Sequence, residues 1–427
     1  MIQKQKGTYD VYGNTGKKIV YLENLLKALM EKYNYEYVRT PLFEASDLFH
    51  RGVGETSDIV SKETYDFTDR GNRNITLRPE GTAGVVRSFI ENKMYARTEQ
   101  PIKTWYYGPM YRYERPQSGR YREFYQFGVE VFGTNDPMID AEIISIPVNF
   151  YKLLGLKGIK VNINSLGDAE SRKNYRDALI EYFKPHINTL CEDCKTRFLK
   201  NPLRILDCKV DKETEILKNA PSILDYLNEV SKKHFENVKK YLEALDIEYV
   251  VNPKIVRGLD YYTNTVFEVE ANVEGFGSQN VLCAGGRYNN LVETIGGPST
   301  AGIGFALGFE RLLTALDYEN INVIEDDGID VYIIPMSENE KQKSLNVTNN
   351  LRMNGFKVDM DYLNRNIKSN FKQADRLNSK FVIIIGEEEI KTNVATIKNN
   401  HEKTEEKTNG VCTQNQKSSL SEDEQKL

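Results

Sequence analysis

The side chains in this sequence that could do chemistry are mainly arginines, carboxylates and tyrosines, and they are densest in residues 111–130. Five residues of this segment recur at even spacing: Arg112, Glu114, Gln126, Gly128 and Glu130. On a strand, even spacing places side chains on one face of the sheet. Four arginines carry guanidinium groups that can make forked contacts with phosphate: Arg112, Arg115, Arg120 and Arg122. The segment predicts binding of a polyanion, although a solvated, salt-bridged hairpin would have the same composition.

Two further segments combine glycine with polar groups. Residues 77–82 place Glu80 and Thr82 beside a proline and a glycine, where they could face the ammonium group of a ligand, although alone the segment is only a turn. Residues 301–311 predict a glycine-containing strand that leads into a helix with Arg311 in its first turn. The glycines there are explained by close approach of a flat ligand or, nearly as well, by a packing contact.

Two kinds of site have little support in the sequence. Three cysteines, with His186 nearby, have the residue types of a zinc site: Cys191, Cys194 and Cys208. Their spacing fits no standard zinc ribbon, so we interpret them as reduced structural cysteines and predict no metal site. The sequence has no Gly-x4-Gly-Lys-Ser/Thr segment, which excludes a P-loop nucleotide site.

The composition is typical of a soluble globular protein. Of the 427 residues, 40% are hydrophobic and 28% are charged, and the net charge is −5. No apolar run is long enough to span a bilayer, and the first residues lack the apolar stretch of a secretory signal. Five cysteines in so long a chain do not form a disulfide framework. We therefore predict a cytoplasmic protein without a membrane partner.

Periodicity divides the first three quarters of the chain into a sheet domain and an insertion. Residues 1–325 predict a large, mostly antiparallel sheet domain. Within it, residues 102–133 predict two long antiparallel strands joined by a polar loop. Residues from about 168 to 248 change to helical periodicity, which indicates a helical insertion domain that interrupts the sheet.

The rest of the chain predicts a smaller domain and a tail. Residues 326–398 alternate strand and helix patterns, which indicates a small α/β domain with a parallel sheet. Four cations are expected on one face of a helix there, a pattern that fits RNA phosphates as well as a solvated face: Arg365, Lys368, Lys372 and Arg376. Residues 399–427 carry only scattered apolar side chains, so we predict a polar, disordered tail.

Taken together, these segments resemble the class II aminoacyl-tRNA synthetases, and among them the bacterial-type histidyl enzymes, across roughly residues 1–398. The predicted hairpin resembles the second class II motif, and residues 302–311 resemble the third. Residues 35–41 occupy the place of the dimer-forming first motif. Residues 257–262 and 284–288 resemble the histidine-specific signatures, and the turn that contains Glu80 matches the segment that binds the amino acid.

The resemblance implies an α+β fold with a six-stranded antiparallel catalytic sheet, a helical insertion and a C-terminal α/β anticodon-binding domain. It implies a homodimer that uses ATP and Mg²⁺ to convert L-histidine to histidyl-adenylate and then charges histidine tRNA. The carboxylate of histidine is ionised at neutral pH and can attack the α-phosphate directly. Such a reaction needs no general base, so catalysis reduces to positioning and charge stabilisation.

The same resemblance assigns roles to single residues. Arg112 and Arg257 are the expected catalytic pair, on the α-phosphate and the histidine carboxylate. ATP is expected to contact Arg112, Glu114 and Arg311. The residues expected around histidine are Glu80, Thr82, Arg112, Gln126, Glu130, Arg257, Tyr261 and Tyr262. The acceptor end of the tRNA is expected to meet Arg115, Gln117 and Arg122.

Other proteins of the same architecture are alternatives. The regulatory subunit of the first histidine-biosynthetic enzyme would keep the fold without charging tRNA. A sensor of uncharged tRNA would carry a kinase signature, which does not occur in this sequence. A prolyl or threonyl enzyme would share the second and third motifs. The presence of Arg257, Tyr261 and Tyr262 favours the histidyl enzyme over these alternatives.

Overall fold

A computed structural model describes residues 1–54, 59–117, 119–206, 208, 210–211, 213–255, 259, 261–273, 280–324, 328–400 and 402–409. The chain divides into two compact units, Met1–Val323 and Ile324–Leu427. No helix among the described residues is both long enough and apolar enough to cross a membrane.

The first unit contains eleven described strands and ten helices. The strands are β1 (Glu36–Tyr37), β2 (Phe43–Ala45), β3 (Tyr65–Thr68), β4 (Asn74–Leu77), β5 (Ile102–Tyr111), β6 (Glu123–Phe132), β7 (Ile159–Ser165), β8 (Tyr249–Val251), β9 (Thr263–Ala271), β10 (Val281–Arg287) and β11 (Gly302–Gly308). The helices are α1 (Gly13–Tyr33), α2 (Ser46–Val53), α3 (Thr82–Glu91), α4 (Pro137–Leu153), α5 (Ala169–Phe183), α6 (Glu192–Lys200), α7 (Glu215–Lys218), α8 (Glu229–Ala244), α9 (Leu291–Thr294) and α10 (Phe309–Tyr318).

One large sheet organises the first unit. Its strand order is β1-β5-β6-β11-β10-β9-β7-β8. The six strands from β5 to β7 pair antiparallel, whereas β1 and β8 add a parallel pairing at each edge. The predicted hairpin is confirmed as β5 and β6, which pair over their whole length. The expected six-stranded antiparallel sheet is present as the centre of a mixed, eight-stranded sheet.

Helices cover one face of this sheet. On β6, Phe127, Val129 and Val131 point into a large core together with side chains of α1, α4, α8 and α10. Because successive residues of a strand point to opposite faces, the even-numbered residues of β6 face the other side. The polar residues at even positions are therefore displayed on the face that these helices leave uncovered.

The segment between β7 and β8 is helical, as expected. The part from α5 to α7 encloses a hydrophobic cluster of its own, built around Tyr175, Leu179, Phe183 and other buried side chains. Helix α8 instead packs against α4, and its buried residues Phe235 and Val238 belong to the core of the large sheet. The separate core of the insertion thus ends before α8.

The second unit is a smaller sheet with helices. Its strands are β12 (Ile329–Pro335), β13 (Val358–Met360), β14 (Ser379–Ile385), β15 (Val394–Asn399) and β16 (Glu405–Asn409), and its helices are α11 (Lys341–Met353), α12 (Ile367–Arg376) and α13 (Glu387–Thr392). The strand order is β13-β12-β14-β15-β16. The pairings of β12 with β13 and β14 are parallel, as predicted, and the pairings of β14, β15 and β16 are antiparallel.

The prediction of a disordered tail from residue 399 is wrong for residues 399–400 and 402–409, whereas residue 401 lies outside the described residues. Strand β16 extends the sheet, with Lys398 opposite Glu405 and Thr396 opposite Lys407. Pairing at a sheet edge uses backbone hydrogen bonds and tolerates exposed charged side chains, so an edge strand needs no apolar pattern. Residues 410–427, the remainder of the predicted tail, lie outside the described residues.

Candidate active site

A depression lies on the open face of the large sheet, and small residues of its strands, Ala284, Gly304 and Ala306, are among the residues that line it. Gly128, Ala306 and Ala284 are paired side by side across β6, β11 and β10. The next residues along β6 and β11 on the same face are Glu130 and Gly304, which also pair. The depression is a cavity of about 350 Å³. A cavity of this size and setting is typical of a small-molecule site.

Glu130 is fully buried beneath the cavity wall, where it contacts Thr82 and Tyr288, two residues that line the cavity. Its Oε1 accepts hydrogen bonds from Thr82 Oγ1 at 2.6 Å and from the Tyr106 hydroxyl at 3.5 Å. The hydroxyl of Tyr288 donates to its Oε2. Burial raises the pKa of the Glu130 carboxyl to about 8. A ligand that brings an N–H donor or a positive charge would therefore stabilise the ionised form.

Glu80 lines the cavity beside Thr82 and is 4% exposed. Its carboxylate accepts hydrogen bonds from the backbone N–H groups of Thr82 at 2.9 Å and Ala83 at 2.8 Å, at the start of α3. Burial raises the pKa of Glu80, although these backbone hydrogen bonds oppose the shift. A carboxylate has about four acceptor positions, so both oxygens can take further donors from a ligand.

Gln126 also lines the cavity. It lies on the same face of β6 as Gly128 and is two residues nearer the hairpin loop. Its side-chain Oε1 is buried and has no hydrogen-bond partner among the described residues. A buried amide oxygen without a hydrogen-bond partner costs about 1–3 kcal/mol of folding stability. The arrangement favours a ligand that donates a hydrogen bond at this point.

Two of the predicted arginines stand on the cavity wall. Arg112 follows β5, donates from Nε to the Pro79 carbonyl at 2.8 Å, and lies 5.1 Å from the centre of the Phe124 ring. Arg311 lies in the first turn of α10 and donates from Nη1 to the Val281 carbonyl at 2.8 Å. These hydrogen bonds hold both guanidinium groups at the wall of a cavity suited to an anionic ligand.

Some polar residues of the hairpin loop line the cavity, and others are exposed to solvent. Glu114 lines the cavity and pairs with Arg120 at 3.4 Å. The three residues expected to meet the acceptor end are not on the cavity wall: Arg115, Gln117 and Arg122. Arg115 and Gln117 are exposed, and Arg122 packs over the Tyr113 ring at 4.0 Å.

Tyr261 and Tyr262 line the cavity with their rings 4.7 Å apart. Tyr261 also lies 5.7 Å from the ring of Tyr288. Burial raises the pKa of the Tyr261 hydroxyl well above its ordinary value, so this hydroxyl stays protonated and can donate. Arg257, the other expected catalytic arginine, lies outside the described residues.

The glycines of β11 make room for the side chains of the site itself. A Cβ atom at Gly304 would lie 1.9 Å from Glu130 Oε2, and one at Gly302 would lie 2.3 Å from the ring of Tyr288. Between the two explanations of these glycines left open by the sequence, the structure favours a packing contact at both positions.

The site's geometry can be compared with known proteins. Residues 7–312 match the family model described as histidyl-tRNA synthetase, and residues 330–410 match that of the anticodon binding domain. The chain belongs to the histidyl-tRNA synthetase family. The resemblance stated from the sequence is thereby confirmed, as is the class of enzyme, an aminoacyl-tRNA ligase.

Relatives in this family span nearly the whole chain. The histidine–tRNA ligase of Anoxybacillus flavithermus is 52% identical over 396 residues, which are 93% of this chain and 94% of the relative. The enzyme of the same name from a Geobacillus species is 54% identical over the same shares of the two chains. Among solved structures, apo S. aureus histidyl-tRNA synthetase has a TM-score of 0.83 at 45% identity and covers 96% of this chain and 97% of its own.

A more distant neighbour shows why fold similarity alone does not assign an activity. A Bacillus halodurans protein titled as an ATP phosphoribosyltransferase regulatory subunit/histidyl-tRNA synthetase has a TM-score of 0.60 at 23% identity, covering 90% of this chain and 98% of its own. At that level of sequence identity, the similarity shows that the two proteins have the same fold and shows nothing about activity. The residues of the cavity must therefore carry the argument about activity.

Two tyrosines that surround Glu130 were not among the site residues expected from the sequence. Tyr106 and Tyr288 both donate to Glu130. Tyr288 was part of a noted segment but had no assigned role, and its neighbour Arg287 is fully buried in an ion pair with Asp140 at 2.6 Å. One signal that could have found Tyr106 is Gly128, its partner on β6, where a Cβ would lie 2.2 Å from the tyrosine ring.

Proposed function

We propose that this chain activates L-histidine with ATP, releasing diphosphate, and transfers the histidyl group from the adenylate to the 3′ end of histidine tRNA. The observation that carries the proposal is the buried carboxyl group of Glu130. It accepts hydrogen bonds from Thr82 and Tyr288, which line a cavity whose wall also bears Arg112 and Arg311. The membership of the histidyl-tRNA synthetase family supports the same reaction.

The imidazole ring of histidine would bind near Glu130, in the part of the cavity lined by Thr82, Tyr261 and Tyr288. A ring N–H would donate to the Glu130 carboxylate, and the hydroxyl of Tyr261 or Tyr262 would donate to the other ring nitrogen. An amino acid that lacks the N–H group would leave a buried carboxyl without its partner. Sites built to bind such a donor reject analogues without it much more strongly than apolar pockets distinguish methylene groups.

The ammonium group of histidine would bind beside the imidazole ring, between Gln126, Glu80 and Thr82. Gln126 Oε1 is a buried acceptor without a partner among the described residues, and Glu80 supplies carboxylate oxygens. The hydroxyl of Thr82 donates to Glu130, so its lone pairs can accept from the ammonium group. Three acceptors of this kind match the three donors of an ammonium group.

The arginines fit the phosphates of ATP. Arg112 would contact the α-phosphate together with Arg257, which also holds the histidine carboxylate, and Arg311 would bind the far phosphates. Glu114 would lie on the adenine side. The reacting carboxylate needs no base, so these groups act by positioning and by stabilising charge in the transition state.

We further propose that the reaction uses Mg²⁺. Carboxylate oxygens are ligands that Mg²⁺ prefers, and Glu268 and Glu310 supply such oxygens on the cavity wall. Bound together with ATP, the ion would offset the negative charge of the departing diphosphate.

The tRNA step would use other parts of the chain. The hairpin loop, with Arg115, Gln117 and Arg122, would meet the acceptor end. On α12 of the anticodon-binding domain three exposed cations would meet RNA phosphates: Lys368, Lys372 and Arg376. Arg365 precedes that helix and is paired with Asp361 at 2.6 Å. The predicted basic surface is therefore reduced from four cations to three.

We also propose a cytoplasmic homodimer without a membrane partner. Several large apolar side chains are exposed close together in the sequence around the segment that resembles the first class II motif: Tyr37, Leu42 and Phe43. A contiguous patch of such groups on the folded chain would be a surface for association. Sedimentation equilibrium should give twice the chain mass for the wild type, and a shift toward the monomer for Phe43→Glu. A monomeric wild type would refute the proposed dimer.

The activation step is tested by ATP–diphosphate exchange with Mg²⁺ and each amino acid in turn. Exchange should depend on histidine alone and should fall at least ~100-fold in Arg112→Ala and in Arg257→Ala, since one positioned charge contributes that much to a transition state. Arg73→Ala is the matched control, because Arg73 pairs with Asp69 beside the β3–β4 turn and is not on the cavity wall. Wild-type protein that supports no histidine-dependent exchange would contradict the proposal and favour a regulatory subunit.

A further inference from the structure

Three cysteines and an aspartate converge in the helical insertion, at a place that shares no residue with the cavity wall. They are Cys191, Cys194, Cys208 and Asp211. One possible ligand atom from each lies within 4.8 Å of all the others. Cys194, Cys208 and Asp211 are buried, so these groups form a compact polar cluster inside the small core of the insertion.

Two distances within the cluster lie close to the edges of a zinc tetrahedron. Cys191 Sγ lies 3.6 Å from Cys208 Sγ, and Cys208 Sγ lies 3.6 Å from Asp211 Oδ2. With Zn–S bonds of about 2.3 Å and Zn–O bonds of about 2.0 Å, a tetrahedral ion would separate two sulfurs by about 3.8 Å, and a sulfur and an oxygen by about 3.5 Å. A disulfide would bring the sulfurs to about 2.05 Å.

We propose that this cluster binds one Zn²⁺ ion, held by the three thiolates and the carboxylate of Asp211. Thiolate ligands select zinc over magnesium or calcium, and four protein ligands in a tetrahedron are typical of a structural site. A catalytic site would keep one position for water. The inference is independent of the proposed function, because none of the four residues lies on the cavity wall.

Backbone groups around the cluster favour the charged ligands. The N–H of Asp211 donates to Cys208 Sγ at 3.3 Å, and the N–H of Cys191 donates to Asp211 Oδ2 at 3.0 Å. Cys191 and Cys194 stand at the start of α6, where the helix dipole stabilises negative charge. Hydrogen bonds of this kind orient first-shell ligands in metal sites.

The position of the cluster explains what the ion would do. Cys191 directly precedes α6 and Cys194 lies in its first turn, whereas Cys208 and Asp211 lie on the chain that follows the helix, so the ion would join two segments of a small core. Small cores often depend on such a cross-link. With reduced cysteines, the interpretation preferred from the sequence, the buried Asp211 carboxylate would depend on hydrogen bonds from a backbone N–H and a thiol, whereas a bound ion would offset its charge directly.

The first measurement is the metal content of the full chain, purified without chelator and with reductant. Elemental analysis should find about one zinc ion per chain, and a mercurial reagent that blocks thiols should release it. After exchange of zinc for Co²⁺, the wild type should show the absorption of tetrahedral cobalt with thiolate-to-cobalt charge transfer. This readout needs neither a variant nor enzyme activity.

Ligand variants identify the donor set. Cys208→Ser should lose the metal, and Asp211→Ala should bind it at least ~10-fold more weakly. Asp211→Cys should retain the metal and shift the cobalt spectrum toward that of four thiolates. Cys412→Ser, which removes a thiol elsewhere in the sequence, should retain a full zinc content. Wild-type chain without zinc or a cobalt spectrum would overturn the proposal, and so would a disulfide between Cys191 and Cys208, or an unchanged cobalt spectrum in Asp211→Cys.

Discussion

Replacing Glu130 by glutamine should make the protein more stable and nearly inactive. Burial raises the pKa of this carboxyl from 4.5 to about 8 in the folded state. Between these two values the unfolded chain has lost the proton while the folded chain still holds it. Since the folded state binds more protons in this range, stability falls as the pH rises from about 4.5 to about 8.

The size of the effect follows from the same shift. Each pKa unit corresponds to about 1.4 kcal/mol, so the buried carboxyl costs about 3 kcal/mol of stability at pH 7. In Glu130→Gln the amide oxygen can still accept from Thr82 Oγ1, and the amide nitrogen can donate to the hydroxyl of Tyr288. Loss of one acceptor offsets part of the gain by about 1 kcal/mol. The expected net gain is about 2 kcal/mol at pH 7.

Urea unfolding measures this gain in the unit that contains the site. The single tryptophan, Trp105, lies on β5, so its fluorescence reports on the large sheet. The difference between Glu130→Gln and wild type should be small at about pH 5 and largest near about pH 8. Histidine-dependent ATP–diphosphate exchange should fall at least ~100-fold, because an amide cannot supply the negative charge. A variant that is less stable than wild type near pH 8, or that keeps its exchange activity, would refute the reasoning.

Three other perturbations test the structure around the site. Gly304→Ala places a Cβ 1.9 Å from Glu130 Oε2 and should abolish exchange, whereas Gly16→Ala, whose nearest neighbour is 3.8 Å away, should leave exchange and circular dichroism unchanged. Arg287→Ala leaves the buried Asp140 carboxylate without its arginine and should lower the free energy of unfolding by about 3–5 kcal/mol in urea titrations. Truncation before β16 should weaken tRNA charging but leave exchange intact, and equal losses in both assays would contradict separate roles for the two units.

The sequence predicted the central hairpin and much of the cavity wall because strand periodicity is a local signal. An even spacing of polar residues on β6 is enough to place Gln126 and Glu130 on one face, whatever the rest of the chain does. Glu80 and Thr82 were found because their turn matches a family motif. Gln126, Glu80 and Thr82 line one cavity in the structure, and Glu130 is buried beneath it with a hydrogen bond from Thr82.

The features that were missed depend on contacts between distant segments or on backbone pairing. Asp211 is an ordinary acidic residue in the sequence, and only the folded insertion brings it to the three cysteines. Strand β16 has exposed, charged side chains because it forms an edge. Helix α8 has the periodicity of any amphipathic helix, which cannot tell whether it packs within the insertion or against α4.

The glycines of β11 show how register supplies what periodicity cannot. In the sequence Gly302 and Gly304 are two glycines in a strand, and a ligand or a packing contact explains them nearly equally well. Once β11 is paired with β6, Gly304 lies opposite Glu130. The carboxyl group of Glu130 then occupies the space that a Cβ atom at residue 304 would fill. The residues that accommodate the buried carboxyl are therefore more than a hundred positions away from it. They can be recognised only when the strand order is known. This explains why Glu130 and its hydrogen-bond donor Thr82 were predicted as site residues while the role of Gly304 was left open.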